Sequence, residues 1–200
     1  MAALKRLLRY LAGTLDLGLL YRAGKTADAK MYALYDASHA DCVGTRRSTL
    51  AYLFYLFGPS PISWSSKIHS FVTTSSNHSE YCAAAKASRE AKWAHMLCSE
   101  IGLARLVGPI ALFSDSQGAI AMTYNPVARS LCKHVDLADH FAREQVEYGI
   151  TTVTHMPTAE MTADALTKPL ARLLFTKHRP ALVSPPTSLQ GGDSTPASTP

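Results

Sequence analysis

A change of hydrophobic periodicity at Ser76 restricts the possible folds of this chain more than any other feature. From Ser76 to Ile101, Ala and Cys residues recur near helical spacing in a stretch rich in Ala, Lys and Glu, which predicts one long helix. Ser75, Ser76 and Asn77 are suitable capping residues for its start. The segments before it predict the following strands: Leu17–Arg22, Met31–Tyr35, Thr49–Phe57, Ile62–Ser66 and Ser70–Thr74.

The part of the chain after this helix alternates strands with helices. The predicted elements are a strand at Ile110–Phe113, helices at Ser116–Tyr124 and Lys133–Tyr148, a strand at Ile150–His155 and a final helix at Ala159–Lys168. A further helix over residues 3–12 places four leucines on one face. This order of elements predicts an α/β fold in which helices pack on a mixed sheet.

Composition favours one domain of ordinary size with a polyanionic partner. The chain has 200 residues, of which 47% are hydrophobic, and a formal net charge of +5. None of its four cysteines forms a C-x-x-C pair, which favours reduced thiols and an intracellular location. The longest apolar run, Leu50 to Phe57, is too short to cross a bilayer, so we expect no membrane partner. Trp64 and Trp93 are predicted to lie in the core.

Four acidic residues stand where a sheet and its helices can bring them together. Asp36 and Asp115 follow apolar strands, and ligand-binding groups collect at such strand ends. Glu80 falls in the first turns of the long helix, and Asp164 lies early in the final helix. Each acid alone is equally consistent with a turn, a cap or a solvated helix position. Together, four clustered carboxylates predict a site for divalent metal ions, because those ions prefer oxygen ligands and clustered acids repel without them.

Several segments form a series of short motifs in a fixed order. They are ALKRLLRYLAGTLDLGLLY at 3–21, YDASHADCVGTRRST at 35–49, ISWSSK at 62–67, TTSSNHSEYCAAAKASREAKW at 73–93, LFSDSQGAIAMTYNP at 112–126, KHVDLADHF at 133–141 and ADALTKPL at 163–170. This series resembles the ribonuclease H domain of copia-type retrotransposon Pol polyproteins. The resemblance implies a ribonuclease H-like mixed five-stranded sheet at 23–180. It also implies the end of a reverse transcriptase connection at 1–22, and residues 181–200 are expected to be a disordered Ser/Thr/Pro tail.

The resemblance also implies which residues act. The catalytic and metal-binding acids of the family correspond to Asp36, Glu80, Asp115 and Asp164, which would hold two Mg²⁺ ions, with Mn²⁺ as a substitute. A loop histidine that assists proton transfer would correspond to His155, for which a half-exposed structural role is the alternative. The expected substrate-binding residues are Asn77, Ser116, Gln117 and His134, with a structural role as the alternative for His134. Arg46, Arg47 and Lys133 are candidates for phosphate contacts because of their charge, and an ordinary solvated position is an equal alternative for each.

The implied activity is cleavage of the RNA strand of an RNA–DNA hybrid. The implied partners are that hybrid and the reverse transcriptase domain of a parent polyprotein, in a cytoplasmic virus-like particle or in the nucleus. An inactive remnant that only binds nucleic acid is the main alternative. An integrase is disfavoured because Glu comes second and an Asp comes last among the acids, and a polymerase is disfavoured because the chain has no Y-x-D-D motif. Departures from the family include Leu50-Ala51, which puts local sheet packing in question.

Overall fold

The computed structural model describes residues 1–21, 30–56, 60–104, 107–125 and 140–185. Its helices are α1 (Ala2–Ala12), α2 (Ser76–Glu100), α3 (Gln117–Tyr124), α4 (Phe141–Glu147), α5 (Asp164–Thr167) and α6 (Arg172–His178). Its strands are β1 (Tyr32–Ser38), β2 (Thr49–Tyr55), β3 (Pro61–Ile68), β4 (Ile110–Ser114) and β5 (Thr151–His155). Two 3₁₀ turns span Thr158–Glu160 and Arg179–Ala181.

The five strands form one mixed sheet in the order β3-β2-β1-β4-β5. The β1–β2 and β2–β3 pairs are antiparallel, whereas β1–β4 and β4–β5 are parallel. The expected mixed five-stranded sheet with packed helices is therefore confirmed. Because β1, β4 and β5 run in the same direction, their carboxyl ends meet at one edge of the sheet, where the site lies.

Helix α2 covers one face of the sheet through small residues. Ala84, Ala87 and Ala91 are fully buried, so the helix backbone can approach the sheet closely and pack on aromatic side chains such as Tyr35. A second, smaller cluster fills the opposite face, and it consists of Leu34, Leu53, Tyr55, Met161 and Ala163. Leu50 and Ala51 are both buried, so the sheet packs well where the sequence departs from the family.

Three predicted elements differ from the structure. Of the strand predicted at Leu17–Arg22, the described residues 17–21 form only a bridge between Gly18 and Ser184, which lies within the predicted tail, and Arg22 lies outside the described residues. Ser70–Thr74 is not a strand but the connection from β3 to α2. The helix predicted at Ala159–Lys168 is divided, because the chain turns at Met161 and Ala163 to bury both side chains against the sheet.

Other expectations need smaller corrections. Strand β1 continues past Asp36 to Ser38, because all seven of its residues pair with β2. Trp64 and Trp93 are 53% and 57% exposed, so their predicted core position is wrong. Of the helix predicted at Lys133–Tyr148 the structure shows α4, and the earlier part lies outside the described residues. Helix α6 was not predicted. Among the described residues, no helix combines the length and the apolar character needed to span a membrane.

Candidate active site

Three carboxylates meet at the edge of the sheet where the parallel strands end. Asp36 lies on β1, Glu80 in the second turn of α2, and Asp115 directly after β4. One oxygen from each lies within 4.8 Å of the other two. Asp36 is 2% exposed and Glu80 is 8% exposed, whereas Asp115 is half-buried. The structure therefore brings together three of the four acids that the sequence singled out.

The start of α2 fixes the direction of Glu80. The Ser75 hydroxyl caps the helix by accepting a hydrogen bond from the His78 backbone N–H at 3.1 Å. Glu80 is then positioned so that its Oε1 atom accepts a hydrogen bond from the Ala37 backbone N–H on β1, at 3.3 Å. Its other oxygen, Oε2, is buried and has no hydrogen-bond partner in the part of the chain that the structure describes. A buried, unpaired carboxylate oxygen is costly unless a cation or another donor approaches it.

Burial and mutual repulsion shift Glu80 and Asp36 toward their protonated forms by raising their pKa values. Burial raises the pKa of Glu80 from 4.5 to about 9, and the charges of Asp36 and Asp115 add to this effect. Burial also raises the pKa of Asp36 from 3.8 to about 6, although a hydrogen bond from Thr167 lowers it in part. Without a cation the site therefore opposes the full ionisation of its own acids.

Asp164 stands beside this group rather than within it. Its Oδ1 atom lies 2.8 Å from the Lys168 ammonium, one helical turn further on. Thr167 contacts both residues, at Asp36 Oδ2 and at the Asp164 backbone carbonyl, and the charge of Asp164 adds to the effect of burial in raising the pKa of Asp36. Burial tends to lower the pKa of Lys168, but the hydrogen bond to Asp164 and the charges of Asp36, Asp164 and Asp115 outweigh it, so that pKa is raised. Lys168 was not among the predicted site residues.

Two threonine hydroxyls hold acids of the group, and neither threonine is distinctive in the sequence. Thr158 Oγ1 donates a hydrogen bond to Asp115 Oδ2 at 2.8 Å. Thr167 Oγ1 donates a short hydrogen bond to Asp36 Oδ2. The sequence signal for Thr167 is its place in the ADALTKPL segment, three residues after Asp164.

The predicted minor-groove contacts gather next to the acids. The Ser116 hydroxyl caps α3 and lies 3.4 Å from Asn77 Oδ1, so these two side chains are neighbours. Gln117 begins α3 and is exposed. Gly118 has a role that the sequence did not suggest, because a Cβ atom there would lie 2.6 Å from the amide atoms of Asn77. The missing side chain at Gly118 thus makes room for Asn77.

Of the predicted basic contact residues, the structure describes the two arginines. Arg46 and Arg47 are exposed in the turn between β1 and β2, which follows the end of β1 that carries Asp36. Lys133 and His134 lie outside the described residues. His155 is exposed and ends β5 opposite Ser114, the residue before Asp115. The histidine therefore stands at the same edge of the sheet as the carboxylates.

Comparison with known proteins identifies the family. The retrovirus-related Pol polyprotein from transposon RE2 of Arabidopsis thaliana is 43% identical over 173 residues, which are 86% of this chain and 12% of that polyprotein. The corresponding polyprotein from transposon TNT 1-94 of Nicotiana tabacum is 35% identical over 173 residues, again 86% of this chain and 13% of that polyprotein. The chain therefore spans about one eighth of the length of the curated relatives it matches.

The other two comparisons add less. No family model matches the chain. The solved structure of RNase H1 from Halobacterium salinarum NRC-1 aligns with a TM-score of 0.46 and 18% identity, over 69% of this chain and 94% of that one. By sequence, the chain corresponds to a segment of the Pol polyproteins of copia-type retrotransposons, and its mixed five-stranded sheet is the one that the resemblance implied.

Proposed function

We propose that this chain is a ribonuclease H that hydrolyses the RNA strand of RNA–DNA hybrids within a retrotransposon polyprotein. The observation that carries the proposal is the group formed by Asp36, Glu80 and Asp115, whose oxygens lie within 4.8 Å of one another. Such a group contributes little to stability, because buried like charges repel. Asp164, beside Asp36, is the proposed fourth acid.

Two Mg²⁺ ions, or Mn²⁺ in their place, are the proposed cofactor. Hard divalent cations prefer the carboxylate oxygens that this site presents. The buried Oε2 atom of Glu80, which has no hydrogen-bond partner among the described residues, is suited to act as a metal ligand. Burial and the neighbouring carboxylates raise the pKa values of Asp36 and Glu80, an effect that bound cations would offset. Bound there, such ions supply an activated water and stabilise the departing oxygen.

The proposed reaction is hydrolysis of an RNA phosphodiester. The oxygen of a water molecule forms a bond to phosphorus while the bond from phosphorus to the 3′-oxygen breaks, which leaves a 3′-hydroxyl and a 5′-phosphate. The exposed His155 at the end of β5 is the proposed donor of a proton to the departing 3′-oxygen.

The proposed substrate contacts divide by chemistry. Asn77, Ser116 and Gln117 offer amide and hydroxyl groups beside the acids, and these suit the minor groove of a hybrid, where 2′-hydroxyls distinguish RNA from DNA. Arg46 and Arg47 suit the phosphate backbone. Lys133 and His134 are proposed for the same surface from the sequence alone.

A reverse transcriptase domain of the parent polyprotein is the proposed protein partner. Helix α1 contains no buried residue, and its leucines Leu4, Leu7, Leu8 and Leu11 are 50–56% exposed. An apolar stripe of this kind marks a contact surface. Reverse transcription would place the protein inside the cell, in a virus-like particle or in the nucleus.

Cleavage of an end-labelled RNA–DNA hybrid in Mg²⁺ tests the proposal, with Asp115→Asn as the diagnostic variant. We expect the wild-type chain to cut only the RNA strand, and Asp115→Asn to lose more than about 100-fold in rate, because even residues that merely support metal ligands cost 10–100-fold. Asp16→Asn is the matched control, since Asp16 is exposed and outside the carboxylate group. A folded wild-type protein that binds hybrid without cutting it would instead support the inactive remnant.

A further inference from the structure

Asp36, Ala51 and Ser66 form one rung across the sheet. Asp36 pairs with Ala51 of β2, and Ala51 pairs with Ser66 of β3. Side chains at directly opposed positions point to the same face. Ala51 is small and 1% exposed, so between the two polar side chains the rung leaves space that another segment covers.

Helix α5 lies over this rung and is attached to it at both ends. On the β3 side, Ser66 Oγ donates a hydrogen bond to the Leu166 backbone carbonyl at 2.6 Å. On the β1 side, the Thr167 hydroxyl donates its hydrogen bond to Asp36 Oδ2. Consecutive residues of α5 are thus bound to the two ends of one rung, and Thr167 is 6% exposed.

The ordinary role of a helix threonine does not account for this contact. Thr167 Oγ1 also lies 3.2 Å from the carbonyl of Asp164, one turn earlier, which is a common local bond. A hydroxyl has a single proton, however, and a carboxylate is a stronger acceptor than a backbone carbonyl. The proton therefore goes to Asp36, a contact that joins residues 131 positions apart in the chain.

We propose that Thr167 is a positioning residue that orients the Asp36 carboxylate for metal binding, and that Ser66 holds Thr167 in place through the backbone of α5. This inference rests on the proposed function. By occupying Oδ2, the hydroxyl fixes the carboxylate plane before a cation arrives. Residues that orient a metal ligand in this way raise affinity for the ion. Thr167 of the ADALTKPL segment then acts on Asp36 directly, and Ser66 of the ISWSSK segment acts on it indirectly, through α5.

The test measures binding of Mn²⁺ and Mg²⁺ alone to the full 200-residue chain by isothermal titration calorimetry. Thr167→Val removes the hydroxyl and keeps the shape, and Thr167→Ser restores the hydroxyl. Thr123→Val is the matched control, because Thr123 is also buried but donates to a backbone carbonyl of its own helix, that of Ala119. Ser66→Ala tests the support from β3 without any change inside α5.

We expect Thr167→Val to weaken metal binding by about 10-fold or more, as is typical for residues that orient ligands. Thr167→Ser and Thr123→Val should bind as the wild type does, and Ser66→Ala should show a smaller loss than Thr167→Val. Equal affinity in Thr167→Val and the wild type overturns the inference and leaves the proposed function intact. The same loss in Thr167→Ser as in Thr167→Val also overturns it, since the hydroxyl is then not the cause.

If Thr167→Val does not fold, Ser66→Ala decides the question, and unchanged metal binding in that variant overturns the inference. Absence of metal binding to the wild-type chain is a different result. It overturns the proposed metal-dependent function itself, and the positioning role falls with it.

Discussion

Replacement of Glu80 by Gln should stabilise the metal-free protein, and the gain should grow with pH. Glu80 is 8% exposed, and burial together with two neighbouring carboxylates raises its pKa from 4.5 to about 9. The folded state therefore binds a proton that the unfolded state releases, and the free energy of unfolding falls as pH rises between these two values. A glutamine does not titrate, so the variant lacks this loss.

The size of the effect follows from the same pKa. One proton costs about 1.4 kcal/mol per pH unit, and from pH 6 to pH 8 the wild type should lose roughly 3 kcal/mol that the variant keeps. The pKa of Asp36 is raised to about 6, so its titration lowers the free energy of unfolding mainly below this pH window. Contributions from groups that behave alike in the wild type and the variant cancel in the difference between their free energies of unfolding.

Urea unfolding followed by far-ultraviolet circular dichroism in a chelating buffer measures the difference directly. Glu100→Gln is the control, because Glu100 ends the same helix and is exposed. Its stability curve should run parallel to that of the wild type. Parallel curves for Glu80→Gln and the wild type between pH 6 and pH 8 would refute the reasoning, since Glu80 would then titrate alike in both states. Excess Mg²⁺ should stabilise the wild type more than the variant, because ligand binding to the folded state adds to its stability.

Three further substitutions test other parts of the site. Gly118→Ala should lower the rate of hybrid cleavage several-fold without weakening metal binding, because the new Cβ displaces the Asn77 amide. Gly44→Ala is the control, since a Cβ atom there meets nothing within 4 Å. An unchanged cleavage rate in Gly118→Ala would exclude a role for Asn77. Ala51→Val should lower the free energy of unfolding by about 1–3 kcal/mol, measured in urea, and should weaken metal binding, because the added methyl groups push α5 off the rung. Lys168→Met should destabilise the metal-free protein by on the order of 1 kcal/mol after allowance for solvent screening, since it leaves the buried carboxylate of Asp164 unpaired. Added Mg²⁺ should reduce that loss of stability. An equal loss with and without Mg²⁺ would argue against Asp164 as a fourth ligand.

The order of elements could be predicted because periodicity is local. The alanine spacing predicts α2, and the apolar runs predict β2 and β4, from a few neighbouring residues in each case. Ser70–Thr74 has the residue types of a strand but has no partner strand in the part of the chain that the structure describes, and the Thr73 hydroxyl bonds to Ser48 and His39 instead. The prediction of one continuous helix at Ala159–Lys168 is wrong for a similar reason, because burial of Met161 and Ala163 outweighs local helical preference.

The acids could be singled out from sequence, whereas the groups that hold them could not. An acid after an apolar strand is unusual by itself, so Asp36 and Asp115 stand out. Thr167, Thr158 and Gly118 are ordinary residues until the chain folds, and each acts on a side chain about 40 to 130 positions away. No spacing rule connects residues so distant in the sequence.

Among the described residues, a hydrogen bond reaches each of the three clustered carboxylates from a different segment. Thr167 binds Asp36, the Ala37 backbone binds Glu80, and Thr158 binds Asp115. These bonds fix the carboxylates without neutralising them, so the repulsion that raises the pKa of Glu80 remains. That repulsion disappears only when a proton or a cation arrives. Any substitution that relieves it must therefore make the metal-free protein more stable and its affinity for metal lower, and the two effects should rise together across a series of acid-to-amide variants.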